Sequence, residues 1–464
     1  MITPVLPLAI QRQRTRLTWK YATRHLHRQD GVAREMSAGQ MPPGAECDGD
    51  ADRGRESQPA MTPGARQEDP LHLVLGGRPA PVVPVAPVYE NLGALEFHAM
   101  QLRWSMWRRR LEEAGTDLLP LDYAAYLEVE LAVRTEILDH WYPPPAWLQL
   151  PSNRTPEDTA GCALAKRGDD LFWISPEGEE TWIPPNREAH LAAMAAERTH
   201  HFAGLWTQGY HPDRLRRSVS RPARPVPDPA PAQAEALSRS HHYDIARALT
   251  ERYPDLPLYA YSGSPYNSLL GSLGFQEMMA ALVERPRMAH ALLEGALPGP
   301  SARLAAARAL GVSIMFVEEC LASADIISPA MYREFSFPYV EEMLKFYEDR
   351  GFRTVLYFSG NLMPLLEDLK RLPFTALSFE EDRKGYGIDL AEVRRVLGPD
   401  RVLFGNLDAH FVEKAADDAL LAEVRRQVQV AGADGNFVVS LGSPFTPDTA
   451  VARVRLVCES TRLI

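Results

Sequence analysis

Apolar runs of strand length alternate with amphipathic stretches through the C-terminal part of the chain. Val312 to Glu318 (VSIMFVE) is one such run, and Pro329 opens a helical pattern that closes before Gly351. Thr354 to Phe358 precedes a helix over Met363 to Leu372, and Thr375 to Phe379 precedes one over Leu390 to Leu397. Val402 to Phe404 leads into Phe411 to Val430, and Phe437 to Leu441 into a last helix from about Asp448. These five strand-then-helix units recur about every 30 residues, the spacing of βαβ crossovers in a parallel sheet. Upstream, Pro81 to Val88, Asp117 to Leu121 and Leu258 to Ser262 read as three more strands, each followed by a helical pattern. Eight units predict an α/β fold of the (β/α)8 TIM barrel type. An open doubly wound sheet is the alternative, weakened because no G-x-G-x-x-G follows the first strand.

Three segments depart from this rhythm. Between Gly161 and Pro185, aromatic and β-branched residues flank the turn signal Pro176-Glu177-Gly178, which predicts a β-hairpin insertion. Arg221 to Ala236 (RPARPVPDPAPAQAEA) carries too many prolines for helix or strand interior and reads as a surface insertion. Residues 36–70 turn to Gly, Pro, Asp, Glu and Arg with few large hydrophobes, so 1–70 reads as a disordered extension ahead of a barrel over 71–464, or as an upstream-start artefact, with Met36, Met41 and Met61 as later starts. The first 35 residues have seven Lys or Arg against two acids, a composition that also imitates a transit peptide.

Charge and cysteine usage narrow the function classes. The 464-residue chain has a formal net charge of -11, and its basic cluster is confined to the N-terminus, which argues against a nucleic-acid partner. Cys47, Cys162, Cys320 and Cys458 lie far apart with no C-x-x-C pair, so neither a disulfide framework nor a zinc knuckle is expected and a reducing cytoplasm is the default. No run of about 18 apolar residues occurs, so no membrane span is expected.

In such a barrel the chemistry sits at the C-terminal ends of the strands. The loops there supply Ser264, Tyr266, Glu318, Glu319, Tyr357, Ser359, Asn361, Glu380, Asn406, Asp408 and Ser443 as candidate substrate-binding residues, and Asp117 as the candidate catalytic carboxylate. The set is acidic and hydroxyl-rich, suited to general acid–base work or to holding a cationic intermediate. Single acids also have plainer readings: Asp408 as a helix cap, and Glu380-Glu381-Asp382 as a solvated turn. The loops lack H-x-H and C-x-x-C pairs, so no metal is expected. His98, His140, His241, His242 and His410 read as surface or packing residues.

Several loops together resemble the uroporphyrinogen decarboxylase family, which comprises tetrapyrrole decarboxylases and corrinoid- or coenzyme-linked methyltransferases on a (β/α)8 barrel. The matching text is Ser328-Pro329-x-x-Tyr332-x-Glu334-Phe335-x-x-Pro338-Tyr339, then Gly405-Asn406-Leu407-Asp408, then Leu441-Gly442-Ser443 leading to Pro447-Asp448. Gly263-Ser264-Pro265-Tyr266 and Thr116-Asp117-Leu118-Leu119 are weaker echoes, and the similarity extends over about Gly76 to Ile464.

The resemblance implies that Asp117 matches the family aspartate beneath the pyrrole nitrogens, where a carboxylate stabilises the protonated ring formed during loss of an acetate carboxyl. The family's arginine-bearing first loop reads Pro87-Val88-Tyr89-Glu90-Asn91 here, its G-x-P tyrosine falls on Gly271 and its last-loop histidine on Ser443. The methyltransferase branch's zinc ligands fall on Tyr357 and Ser359, although the Gly161 to Pro185 hairpin is more like that branch. The expected function is therefore cofactor-free decarboxylation of a tetrapyrrole-like carboxylated substrate, with a homodimer as an open arrangement. Methyl transfer with a corrinoid supplied by a partner protein is the alternative, and a non-catalytic tetrapyrrole- or corrinoid-binding barrel is the third reading. Asp117 is expected at the end of the second barrel strand, buried at the mouth with Asn406 and Ser443, and its carboxyl raised.

Overall fold

The computed structural model describes residues 69–88, 94–141, 147–186, 188–190, 192, 228–383 and 385–463. All belong to one compact unit, Asp69–Ile464. The extension read over 1–70 lies, but for its last two residues, outside the described residues, as do residues 221–227 of the proline-rich insertion.

The core is a seven-stranded parallel sheet, in spatial order β11(Phe437–Val438), β10(Val402–Phe404), β9(Ala376–Phe379), β8(Arg353–Phe358), β7(Ile314–Glu319), β6(Leu258–Gly263) and β2(Leu148–Gln149). An eighth segment closes the curl from the far side: Val85 bridges Val439 in parallel, through Ala86 N–H to Val439 O and Val439 N–H to Pro84 O, both 2.9 Å. Across the remaining seam the Trp147 indole N–H donates to Pro87 O at 2.8 Å. The α/β barrel class thus stands, with its first segment reduced to a bridge.

The strands are short and buried on both faces, as parallel strands under a helical coat must be; every residue of β7 and β9 is buried. Aromatic rings fill the barrel. Trp147 packs 4.5 Å from Tyr259 and 5.3 Å from Phe404 between ring centroids, and Phe316 meets Trp147 and Tyr357, each at 5.7 Å. This layer is the floor of the site, since residues two positions further along β7 and β8 point the same way.

Two expectations need correction, and a third holds with an added strand. The second barrel strand is Leu148–Gln149 and not Asp117 to Leu121; β1(Leu118–Pro120) instead pairs antiparallel with β3(Ala163–Arg167) in a separate sheet of order β1-β3-β4-β5. A single proline-containing run with exposed positions imitates a barrel strand by composition, whereas the true strand is too short to register as a pattern. The expected hairpin is β4(Asp170–Ile174) with β5(Glu180–Ile183), turning through Gly178 at positive φ, and β3 extends it to a meander. Finally, Pro231–Ser238 is a helix. Pro231 occupies its first turn, where a missing N–H costs nothing and the fixed φ suits the helix. This small sheet packs its apolar face, including Leu164 and Leu171, with Trp107, Tyr126 and Val129 of the helices Ala94–Ala114 and Tyr123–Glu136.

The pattern from Pro329 to Gly351 resolves into two helices, Pro329–Phe335 and Phe337–Glu348, broken at Ser336. Pro338 supplies no N–H and its ring crowds the turn before it, which forces the break. The interruption leaves the Ser336 hydroxyl free to turn toward the barrel wall.

Candidate functional site

The parallel register sets Gly263 beside Glu318, Glu318 beside Tyr357 and Tyr357 beside Ser378, so these positions form one row at the C-terminal end of the barrel. Glu318 lies two residues beyond Phe316 and stands above the aromatic floor. The Tyr261 hydroxyl donates to one Glu318 oxygen and the Cys320 thiol to the other at 3.2 Å. Burial, reinforced by the Glu318 charge, pushes the Cys320 thiol well up, so it serves as a donor and not as a thiolate. Asn267 clamps this strand end, donating to Glu318 O and accepting from Cys320 N–H, both at 3.0 Å. The next residue, Leu321, has φ 68°, the sole positive φ of a non-glycine among the described residues. Such a conformation costs about 1 kcal/mol or more and is held by its surroundings.

On the other side of β8, Glu380 accepts from Gly360 N–H at 3.2 Å and from the Tyr386 hydroxyl at 3.3 Å. Gly360 is required there, because its φ is positive and a Cβ would overlap the Ser323 hydroxyl. Asn406 donates to Glu380 O at 3.3 Å, tying β10 to β9.

Glu381 is 3% exposed. One of its oxygens accepts from the Ser443 hydroxyl at 2.9 Å and forms an ion pair with Arg383 Nη1 at 3.0 Å; the other is buried with no hydrogen-bond partner among the described residues. Burial pushes this carboxyl up to about 7, with Arg383 pulling against it and Glu380 adding to it. Gly442 lies directly over the group, so that a Cβ would overlap the Glu381 amide and its free oxygen. The Tyr357 hydroxyl donates to Gly442 O at 2.8 Å. Strands β8, β9 and β11 therefore converge on one acid.

Glu319 is buried differently. Ser336, at the helix break, donates to its Oε1 at 3.0 Å, and Oε2 has no hydrogen-bond partner among the described residues. Burial pushes this carboxyl up to about 8, and Glu318 adds to the rise against the pull of Ser264 and Ser336. Tyr332, whose buried hydroxyl is also without a hydrogen bond, feels the Glu319 charge.

The structure thus brings Glu318, Tyr357, Ser359, Glu380, Asn406 and Ser443 to one end of the barrel. Other candidates do local work. Ser264, Asn361 and Asp408 accept from the amides of Asn267, Met363 and Phe411, so Asp408 is the helix cap that its position suggested. Tyr266 is wholly buried in the first turn of the helix Pro265–Leu273. Asp117 must be corrected: it is exposed, on the small antiparallel sheet, with its carbonyl bonded to Lys166 N–H at 2.8 Å. Its strand belongs to the other sheet, so it does not share a strand end with Asn406 and Ser443. Nor is Glu380-Glu381-Asp382 a solvated turn, since Glu381 lies under the β11 loop and only Asp382 is exposed.

Sequence reading missed Arg383, Tyr261 and Tyr386. Period-two alternation back from Gly263 points to Tyr261, and Arg383 stands in the same loop as the acids it neutralises.

The sequence profile described as Uroporphyrinogen decarboxylase (URO-D) matches residues 216–463, more than half of the chain. The chain belongs to the uroporphyrinogen decarboxylase family. It is 24% identical over 232 residues to the uroporphyrinogen decarboxylase of Francisella philomiragia, covering 47% of this chain and 64% of that one. The corresponding protein of Dechloromonas aromatica is 30% identical over 234 residues, covering 47% and 63%. Against both, the chain spans less than two thirds of the relative's length. A methyltransferase from Methanosarcina mazei shares the fold, with TM-score 0.50 and 18% identity over 85% of this chain and 97% of that one.

Within the uroporphyrinogen decarboxylase family the zinc-binding arrangement does not fit this chain. Tyr357 and Ser359 are the residues that the resemblance sets at the zinc positions; the Tyr357 hydroxyl is committed to Gly442 O and burial holds its proton firmly. Neither side chain is a usual zinc donor. No helix among the described residues is long and apolar enough to cross a membrane.

Proposed function

We propose that this chain is a carboxy-lyase that removes CO2 from a carboxylated, pyrrole-type substrate without a cofactor, using Glu318, Glu380 and Glu381 in place of Asp117. The observation that carries this reading is the approach of Glu318 and Glu380, from strands on either side of β8, to Cys320 above an aromatic floor, with Glu381 linked to Glu380 through Arg383. A proton adds to the ring carbon next to the one bearing the acetate arm and leaves a ring cation conjugated with that arm. The C–CO2 bond then breaks, and its electron pair neutralises the ring. The exocyclic carbon takes a second proton while the ring carbon loses the first, so one proton is consumed and a methyl group remains. In this reading Glu318 and Glu380 act as acceptors around the cation. Glu381, with its carboxyl up at about 7, holds a proton that it can both give and regain near neutrality.

Anaerobic incubation with carboxylated porphyrinogens, reading CO2 release and product mass, tests this. Turnover is expected, with kcat lowered about 100-fold in Glu380→Gln, the usual loss for one preorganised electrostatic group. Undiminished turnover in both Glu318→Gln and Glu380→Gln, or methylation of added cobalamin without CO2 release, would overturn the reading.

A further inference from the structure

The site is acidic, yet the reading above places an anionic carboxylate in it. The geometry around Arg383 resolves this conflict. Its guanidinium enters from the loop after β9 and makes a single contact with Glu381, through Nη1 at 3.0 Å. Its Nε is buried without a hydrogen bond among the described residues, and the nearest Glu380 oxygen is 3.6 Å away. A guanidinium matches a planar carboxylate by two parallel N–H donors, and Glu381 meets Arg383 only as an ion pair at Nη1, without that paired geometry.

We propose that Arg383 is the anchor for a carboxylate of the substrate, and that seating this carboxylate draws one proton from solvent onto Glu381. Glu381 and the ligand compete for the same guanidinium. When the ligand takes it, Glu381 keeps the Ser443 hydroxyl but loses the cation that opposes its burial. Among the described residues the other titratable groups facing the pair are Glu380 and Tyr386 of the same loop and Tyr357 of β8, with Cys320 beyond them, and none of these carries positive charge. The Glu381 oxygen without a partner is where the proton goes, as an O–H. Ligand charge and proton cancel, so the mouth admits an anion without gaining net charge. The device rests on the proposed reaction for its purpose: the acid is loaded by the arrival of the substrate it will protonate. It also names the substrate class, a compound that presents one carboxylate to one arginine.

Calorimetric titration of the full chain with pyrrole-2-carboxylate, in two buffers of different ionisation enthalpy, tests it independently of turnover. Because the free carboxyl titrates at about 7, the Kd should weaken about tenfold between pH 6 and pH 8, and close to one proton should be taken up at pH 8. Pyrrole-2-carboxamide should not bind. Glu381→Gln imitates the protonated acid, so it should bind at pH 8 as tightly as the parent does at pH 6, with no proton uptake. Arg383→Gln should weaken binding at least about tenfold; should that variant fail to fold, Glu381→Gln still decides the matter. Unchanged binding in folded Arg383→Gln, no binding by the parent, or native pH dependence in Glu381→Gln overturns the proposal. Proton-coupled binding together with no CO2 from any porphyrinogen would leave this inference standing and remove the proposed reaction alone.

Discussion

Glu319 and Glu381 make an instructive pair. Both follow a strand's inward-facing acid by one residue, both are almost fully buried, and in both one oxygen lacks a hydrogen bond. They differ in what covers them. Glu319 meets the helix coat at Ser336, with no cation among the causes acting on it, whereas Glu381 meets Ser443 and Arg383 beneath the β11 loop. The first is pushed up to about 8 and the second to about 7. Burial sets the common direction, and the guanidinium makes the second acid able to change state near neutral pH.

The largest expected effect breaks the pair apart by pH. An unfolded glutamate ionises at about 4.3, so the folded state holds an extra proton on Glu319 up to about 8. Stability therefore falls as pH rises through that window and levels off above it. Glu319→Gln removes this slope. Thermal melts should show the variant several degrees more stable than the parent at pH 8 and nearly equal to it at pH 5. Glu381→Gln should gain less at pH 8, because its window closes at about 7 and Arg383 loses its partner. Equal gains in the two variants would mean that Arg383 does not distinguish them.

A smaller effect sharpens the second half of the comparison. Gly442→Ala places a methyl group against the Glu381 amide and carboxyl, an overpacking that costs about 1–3 kcal/mol. It should also move the pH dependence of carboxylate binding while leaving the pH-dependent gain in stability from Glu319→Gln unchanged in the double variant. The smallest effect concerns Asp117. Asp117→Asn should keep full activity and change stability by no more than about 0.5 kcal/mol, as an exposed position allows. A large loss of turnover would return Asp117 to the chemistry.

Much of this was legible in the sequence, for physical reasons that stop at identifiable places. Strands β6 to β11 are compact apolar runs followed by capped or amphipathic helices, so their order and their loops could be read directly. The strand β2 has two residues in the ladder and gives no periodic signal. Pro120 and Leu119 imitated it, and Asp117 inherited a role from that error. Glu318, Glu380, Asn406 and Ser443 were found because they end strands whose positions were right. The distinction between Asp408, a cap, and Glu381, a buried acid, depends on the β11 loop folding over β9, and no local pattern records that contact. Arg383 was missed because charged residues next to acids in a loop ordinarily read as solvated.

The seam beside the first segment has a consequence for how the molecule comes apart. Val85 is held to the sheet by two backbone bonds, and Trp147 closes the gap to β2 with a side chain. The β1 strand comes from the connection leading into β2 and β3 from the connection leaving it, and the two are paired from Leu118 to Ala165. This external splint staples both crossovers across the weakest joint of the cylinder. In hydrogen exchange the amides of Ala86 and Val439 should therefore open together with the β1–β3 ladder, as a single late-protected and early-lost unit, while β7 to β9 exchange only through global unfolding.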